Sequence, residues 1–134
     1  MASEMTTRDC TGTVPEALGR LTEALEQQGV RLFAIVDHAG AAREAGLELD
    51  DEVVAIFGNP TAGTALMQQD PRVGLDLPLR ILFWSRDGAT HLAYRSPSSL
   101  AETYDLGGLG PRLEKLDGVM RGLADAASGR ITGQ

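Results

Sequence analysis

Val53-Val54-Ala55-Ile56-Phe57-Gly58-Asn59-Pro60-Thr61-Ala62-Gly63-Thr64-Ala65-Leu66-Met67 is the stretch that organises the chain. Five apolar residues rich in β-branching read as a strand, the Gly-Asn-Pro turn stops it, and small residues lead into an apolar helical start. The turn collects backbone N–H groups and two short polar side chains, Asn59 and Thr64, at an element end, where sites are commonly built. The spacing Gly-Asn-Pro-x-x-Gly-Thr lacks the lysine of a phosphate-binding loop.

Working outward, Leu32-Phe33-Ala34-Ile35-Val36 and Leu79-Arg80-Ile81-Leu82-Phe83-Trp84 are two further apolar runs. Both read as strands covered on both faces rather than half-exposed ones. With helices on one side of such a sheet, a partner subunit or a ligand cavity is expected to cover the other. Asp87-Gly88 between β-prone runs predicts a hairpin, returning through Thr90 to Tyr94. Thr13-Val14-Pro15-Glu16 is a capping box that opens a helix over Val14 to Gln28, stopped by Gly29. A short helix is expected over Ala39 to Ala45. Pro71 to Pro78 reads as loop, and Ser96-Pro97-Ser98-Ser99 as the cap of a short helix reaching Tyr104. Pro111 opens the last helix, and the tail from Ser128 to residue 134 is expected to be loose. One edge strand is allowed between Thr6 and Thr13.

At 134 residues the chain is expected to form one domain over 1–134, with its core in 13–127. A single cysteine, Cys10, closes no intramolecular disulfide, and neither a leader nor a long apolar run is evident, so the expectation is a cytosolic, soluble protein. A net charge of -7 repels phosphate backbones and anionic lipid, and six aromatic residues (three Phe, two Tyr, one Trp) are too few for a stacking platform. Nucleic-acid and membrane partners are therefore not expected. Two histidines without ligand spacing give no metal site, and no cofactor is indicated. Without a nucleophile elbow, and with Cys10 in the lead segment, covalent catalysis is not indicated.

The motifs Gly29-Val30 with Phe33, Asp37-His38 with Ala42 and Ala45-Gly46-Leu47, Phe57-Gly58-Asn59-Pro60 with Gly63-Thr64 and Leu66-Met67, Asp76-Leu77-Pro78-Leu79-Arg80, Trp84, Gly88, and Tyr94 with Pro97 and Leu100 together resemble the DUF302 family, a domain of unknown function. The resemblance covers roughly residues 13 to 105 in several ordered motifs. It implies an α+β fold, a small antiparallel sheet with helices packed on one face in a TATA-binding-protein-like arrangement, and a homodimer. DNA binding does not follow, because fold does not carry function and the charge opposes it.

Six residues are nominated for a pocket: Asp37, His38, Asn59, Thr64, Asp76 and Tyr94. The Asp37-His38 pair at a strand end suits acid-base work or orientation of a polar group; alternatively Asp37 caps the next helix and His38 meets a backbone carbonyl. Asn59 either meets a ligand or closes an Asx turn, and Thr64 either does the same or caps a helix. Asp76 either pairs with Arg80 or points into the pocket near Asp37; more often such an aspartate simply locks its loop. Tyr94 reads mainly as a core-edge residue with a bonded hydroxyl. The leading expectation is a homodimeric small-ligand-binding or sensing domain. The alternatives are an enzyme with His38 as general acid or base and a dimerisation module. A common pocket requires the Asp-His pair and the Asn-Pro bend to meet at one rim of the sheet.

Overall fold

A computed structural model of the chain describes residues 5–129. In chain order the elements are β1 (Met5–Cys10), α1 (Val14–Gln28), β2 (Arg31–Asp37), α2 (His38–Glu44), β3 (Glu52–Gly58) and α3 (Pro60–Gln69). A 3-10 turn over Pro71–Asp76 leads to β4 (Leu79–Arg86) and β5 (Ala89–Arg95), and a second over Pro97–Glu102 precedes α4 (Gly110–Ser128). The strands form one five-stranded sheet in the order β1-β5-β4-β3-β2. Every neighbouring pair is antiparallel.

Local chemistry explains most boundaries. Asp87 (φ 53) and Gly88 (φ 79) both take left-handed conformations, as a two-residue turn between right-twisted strands requires, and Arg86 pairs with Ala89 across it. At α1 the capping box is complete: Glu16 N donates to Thr13 Oγ1 at 3.2 Å and Thr13 N donates to Glu16 Oε1 at 2.9 Å. Those bonds to Thr13, its backbone N–H first, hold the Glu16 carboxyl below its usual range. Gly29 (φ 67) ends the helix.

Alternation along the strands assigns each residue to a face. Ala55, Phe57, Ile81, Phe83, Leu92 and Tyr94 share one face and bury against Ala17, Leu21 and Leu25 of α1 and Met120, Leu123 and Ala127 of α4. A smaller cluster, Leu66, Val73, Tyr104, Leu106 and Leu113, joins α3, both 3-10 regions and the start of α4 at one end of the molecule. The opposite face carries Val54, Arg80, Leu82, Trp84, His91 and Ala93, and among the described residues no helix of the same core lies upon it. The expected α+β class, with helices on one face of an antiparallel sheet, is the observed one.

Several local expectations are corrected. The run Leu32 to Val36 is not a covered central strand. It belongs to β2, last in the sheet and paired among the described residues only with β3, and Leu32, Phe33, Ile35 and Val36 are 37–43% exposed. An apolar run alone cannot distinguish an edge from a centre. The loop at Pro71–Pro78 contains a 3-10 turn capped by Asp70, whose carboxylate accepts from Arg72 N. Ser96 makes no side-chain cap to the turn after it; Asp117 of α4 accepts from Ser98 N instead, at 2.9 Å. Thr64 lies inside α3, and the cap is Asn59. The edge strand allowed between Thr6 and Thr13 is β1, at Met5–Cys10, and Cys10 sits in it, partly buried on the core side. Ser128 is buried, and its carbonyl accepts from Thr11 N at 2.9 Å, so the loose tail does not begin there. Residues 130–134 of that tail lie outside the described residues.

Candidate functional site

β4 and β5 pair from the turn only as far as Leu82 and Ala93. Beyond that point β4 stays with β3 as far as Leu79, while β5 stays with β1 as far as Arg95. The two central strands part company, and a cleft of about 440 Å³ opens at their divergence. Its floor is apolar, with Val54, Leu82 and Ala93. Its rim takes Asp76 and Pro78 from the chain entering β4, and Ser96, Ser99 and Thr103 from the chain leaving β5. A cleft of this size suits a small organic molecule.

The charged groups lining the cleft are Asp76, Arg80 and Arg95; Tyr94 also borders it, but alternation along β5 turns its ring to the core face. The Tyr104 hydroxyl donates to Asp76 Oδ2 at 2.5 Å, tying the turn before β4 to the segment after β5. That bond to the carboxylate, reinforced by burial, raises the Tyr104 phenol above its usual range. Behind it, Asp70 accepts from Arg72 N and Nε at 3.1 Å, from Arg72 Nη2 at 2.9 Å and from Asp105 N at 2.9 Å. The Arg72 guanidinium foremost, then the Asp105 amide, depresses the Asp70 carboxyl far below the carboxylate range. This network braces one wall of the cleft.

The structure divides the six nominated residues into three groups. Asp76 and Tyr94 line the cleft. Asn59 and Thr64 line a neighbouring hollow of about 320 Å³, which also takes Arg31, Phe33, Met67 and Leu77 and shares Pro78 and Leu79 with the cleft. Asp37 and His38 line neither. β2 pairs Arg31 with Gly58 and Asp37 with Val53, so the Asn-Pro bend and the Asp-His pair sit at opposite ends of the β2–β3 ladder. Six strand rises separate them, roughly 20 Å. The expectation that they meet at one rim is thus overturned: both follow a strand end, but antiparallel strands end on opposite sides.

The local alternatives account for several groups. Asp37 Oδ1 accepts from Gly40 N at 2.9 Å, making Asp37 the cap of α2, and His38 is exposed. Asn59 Oδ1 accepts from Thr61 N at 2.9 Å, the Asx turn. Asp76 bonds Tyr104 and forms no ion pair with Arg80 among the described residues. Sequence reasoning overlooked Arg95 and the hydroxyls of Ser96, Ser99 and Thr103. The signal for Arg95 was available: a two-residue turn at 87–88 fixes a register that puts it on the same face of the sheet as Arg80. Among the described residues no group of three His, Cys, Asp or Glu side chains is placed to hold a metal ion.

These features define an α+β domain with a ligand-sized cleft at one end of an antiparallel sheet. The chain belongs to the DUF302 family, described as "Domain of unknown function DUF302", which it matches over residues 6–126. A crystal structure titled as an uncharacterized conserved protein DUF302 from Bacillus stearothermophilus superimposes with a TM-score of 0.73 at 21% identity, covering 93% of this chain and 95% of that one. Among curated proteins, the chain is 39% identical over 106 residues to Fluoride-specific ion channel FluC 1 of Brucella suis biovar 1 (strain 1330), covering 78% of this chain and 42% of that protein. FluC 1 of Brucella abortus biovar 1 (strain 9-941) gives the same identity, with 39% of its length covered. The chain thus spans about two fifths of the curated relatives it matches. No helix among the described residues is long and apolar enough to cross a membrane.

Proposed function

We propose that this DUF302 chain is a small-ligand-binding or sensing domain that acts as a homodimer, with its ligand in the cleft between the diverging ends of β4 and β5. The observation that carries this reading is the cleft itself, about 440 Å³ of apolar floor under a polar rim that includes Asp76. Asp76 and Tyr94 belong to the proposed site. Asn59 and Thr64 border the adjoining hollow, and Asp37 and His38 lie outside it. Catalysis by His38 lacks comparable support, because Asp37 is engaged as a helix cap and His38 borders neither cavity.

Dimerisation is supported by β2. Among the described residues its outer edge pairs with no strand, and four of its large apolar side chains are 37–43% exposed, an arrangement open to strand addition. The strand begins with Arg31 and ends with Asp37, so antiparallel pairing with a second copy brings opposite charges together at both ends. A bulge between Leu32 and Ala34 interrupts the ladder near its start, while Ala34 to Asp37 pair regularly with β3.

Thermal-shift screening of wild type beside Thr103→Trp and His38→Ala tests the ligand reading. Thr103 lies on the cleft rim, so tryptophan there obstructs the cleft, whereas His38 is at the far end of β2. A compound at a hundred times its Kd stabilises the folded state by about 2.7 kcal/mol. Compounds acting in the cleft lose their shift in Thr103→Trp and keep it in His38→Ala. The reverse pattern would overturn the assignment.

A further inference from the structure

The geometry points to an organic anion as the ligand of this cleft, its oxyanion held between Arg80 and Arg95 and its apolar body lying on Leu82, Ala93 and Val54. The inference rests on the cleft being a ligand site. Leu82 and Ala93 close the β4–β5 ladder, and Arg80 and Arg95 follow two residues beyond them on the same face, one on each diverging strand. Two guanidinium charges lining one cleft repel each other unless something neutralises them. Among the described residues neither guanidinium has an ion-pair partner. The ladder between their strands also ends just before them, giving an anion room to enter between the two forks.

The charge balance supports the same ligand. The chain as a whole carries -7, yet the cleft is lined by two arginines against one carboxylate, Asp76. That carboxylate already accepts the Tyr104 hydroxyl. Arginine is suited to carboxylate and phosphate because its planar fork gives two parallel hydrogen bonds. Ser96, Ser99 and Thr103 add hydroxyls at the rim for the remaining oxygens. The apolar floor favours an anion with a hydrocarbon or aromatic body over a bare inorganic ion.

Calorimetric titration of the full chain with benzoate, phenyl phosphate, inorganic phosphate and the neutral isostere benzamide tests the inference, using wild type, Arg80→Gln, Arg95→Gln and Thr103→Trp. Benzoate or phenyl phosphate is expected to bind at least about tenfold more tightly than benzamide or inorganic phosphate, and each arginine variant to lose about tenfold, the scale of one charge-assisted hydrogen bond. A preference for benzoate over phenyl phosphate assigns a carboxylate ligand, and the converse a phosphate monoester. Without ligand, each arginine variant should unfold no more readily than wild type, since it removes one of two opposed like charges. Benzamide binding as tightly as benzoate, abolished by Thr103→Trp, would overturn the anion and leave the cleft as a neutral-ligand site. Anion binding unchanged in both arginine variants and in Thr103→Trp would overturn the anion and the cleft together, as would no binding of any probe at millimolar concentration.

Discussion

Tyr104 donates its hydroxyl to Asp76 across 2.5 Å, and this bond ties together the two chain segments that flank the cleft. Asp76 ends the turn entering β4, and Tyr104 follows the turn leaving β5. Tyr104→Phe keeps the buried ring and removes the bond, so the thermal unfolding midpoint is expected to fall. The pH dependence has a definite sign. Because the folded-state phenol titrates above its usual value, its contribution is intact below about pH 10 and is lost as pH rises through the folded value. Wild type should therefore lose stability more steeply than Tyr104→Phe on the alkaline side, as read by thermal melts in a pH series.

Asp70 gives the opposite limb. Its carboxyl is depressed by Arg72 and the Asp105 amide, so its contribution is present above about pH 4, the unfolded carboxyl value, and disappears as pH falls further. Asp70→Asn should lower stability at neutral pH and flatten the acid limb of the midpoint against pH. An acid limb identical to wild type would show that the Asp70–Arg72–Asp105 cluster does not brace the fold.

The two faces of β4 should respond differently to truncation. Phe83 is 0% exposed against α1 and α4, and Phe83→Ala is expected to cost roughly 3–5 kcal/mol in denaturant unfolding. Leu82, one residue away, lies on the opposite, partly exposed face, so Leu82→Ala should cost a small fraction of that. Equal losses would contradict the assignment of faces.

For the β2 edge, light scattering at micromolar concentration should give a dimer mass for wild type and a monomer mass for Ile35→Lys. Ile35 is 43% exposed in the protomer, so lysine there leaves the fold intact while charging the proposed interface. A wild-type monomer at these concentrations would remove the dimer, and a dimeric Ile35→Lys would move the interface elsewhere.

The local signals were legible because each depends on residues close in sequence. The Thr13–Glu16 box set the start of α1, Asp87-Gly88 set the hairpin, and the motif order from Gly29 to Leu100 carried the family and with it the α+β class. The site was less legible. Asp76 and Tyr94, nominated from an element end and a hairpin strand, do border the cleft, but their grouping with Asp37 and Asn59 assumed that polar residues after strand ends share a rim.

By itself the sequence determined most of the helices and strands and, at α1 and the 87–88 hairpin, where they start or turn, because caps, turns and apolar periodicity act over a few residues. Only the tertiary structure decided that β2 is an edge, that Asp37 and Asn59 lie at opposite ends of one ladder, and that β4 and β5 part beyond Leu82 and Ala93. Strand order and the point where pairing ends depend on contacts among residues distant in the chain. No short motif encodes them.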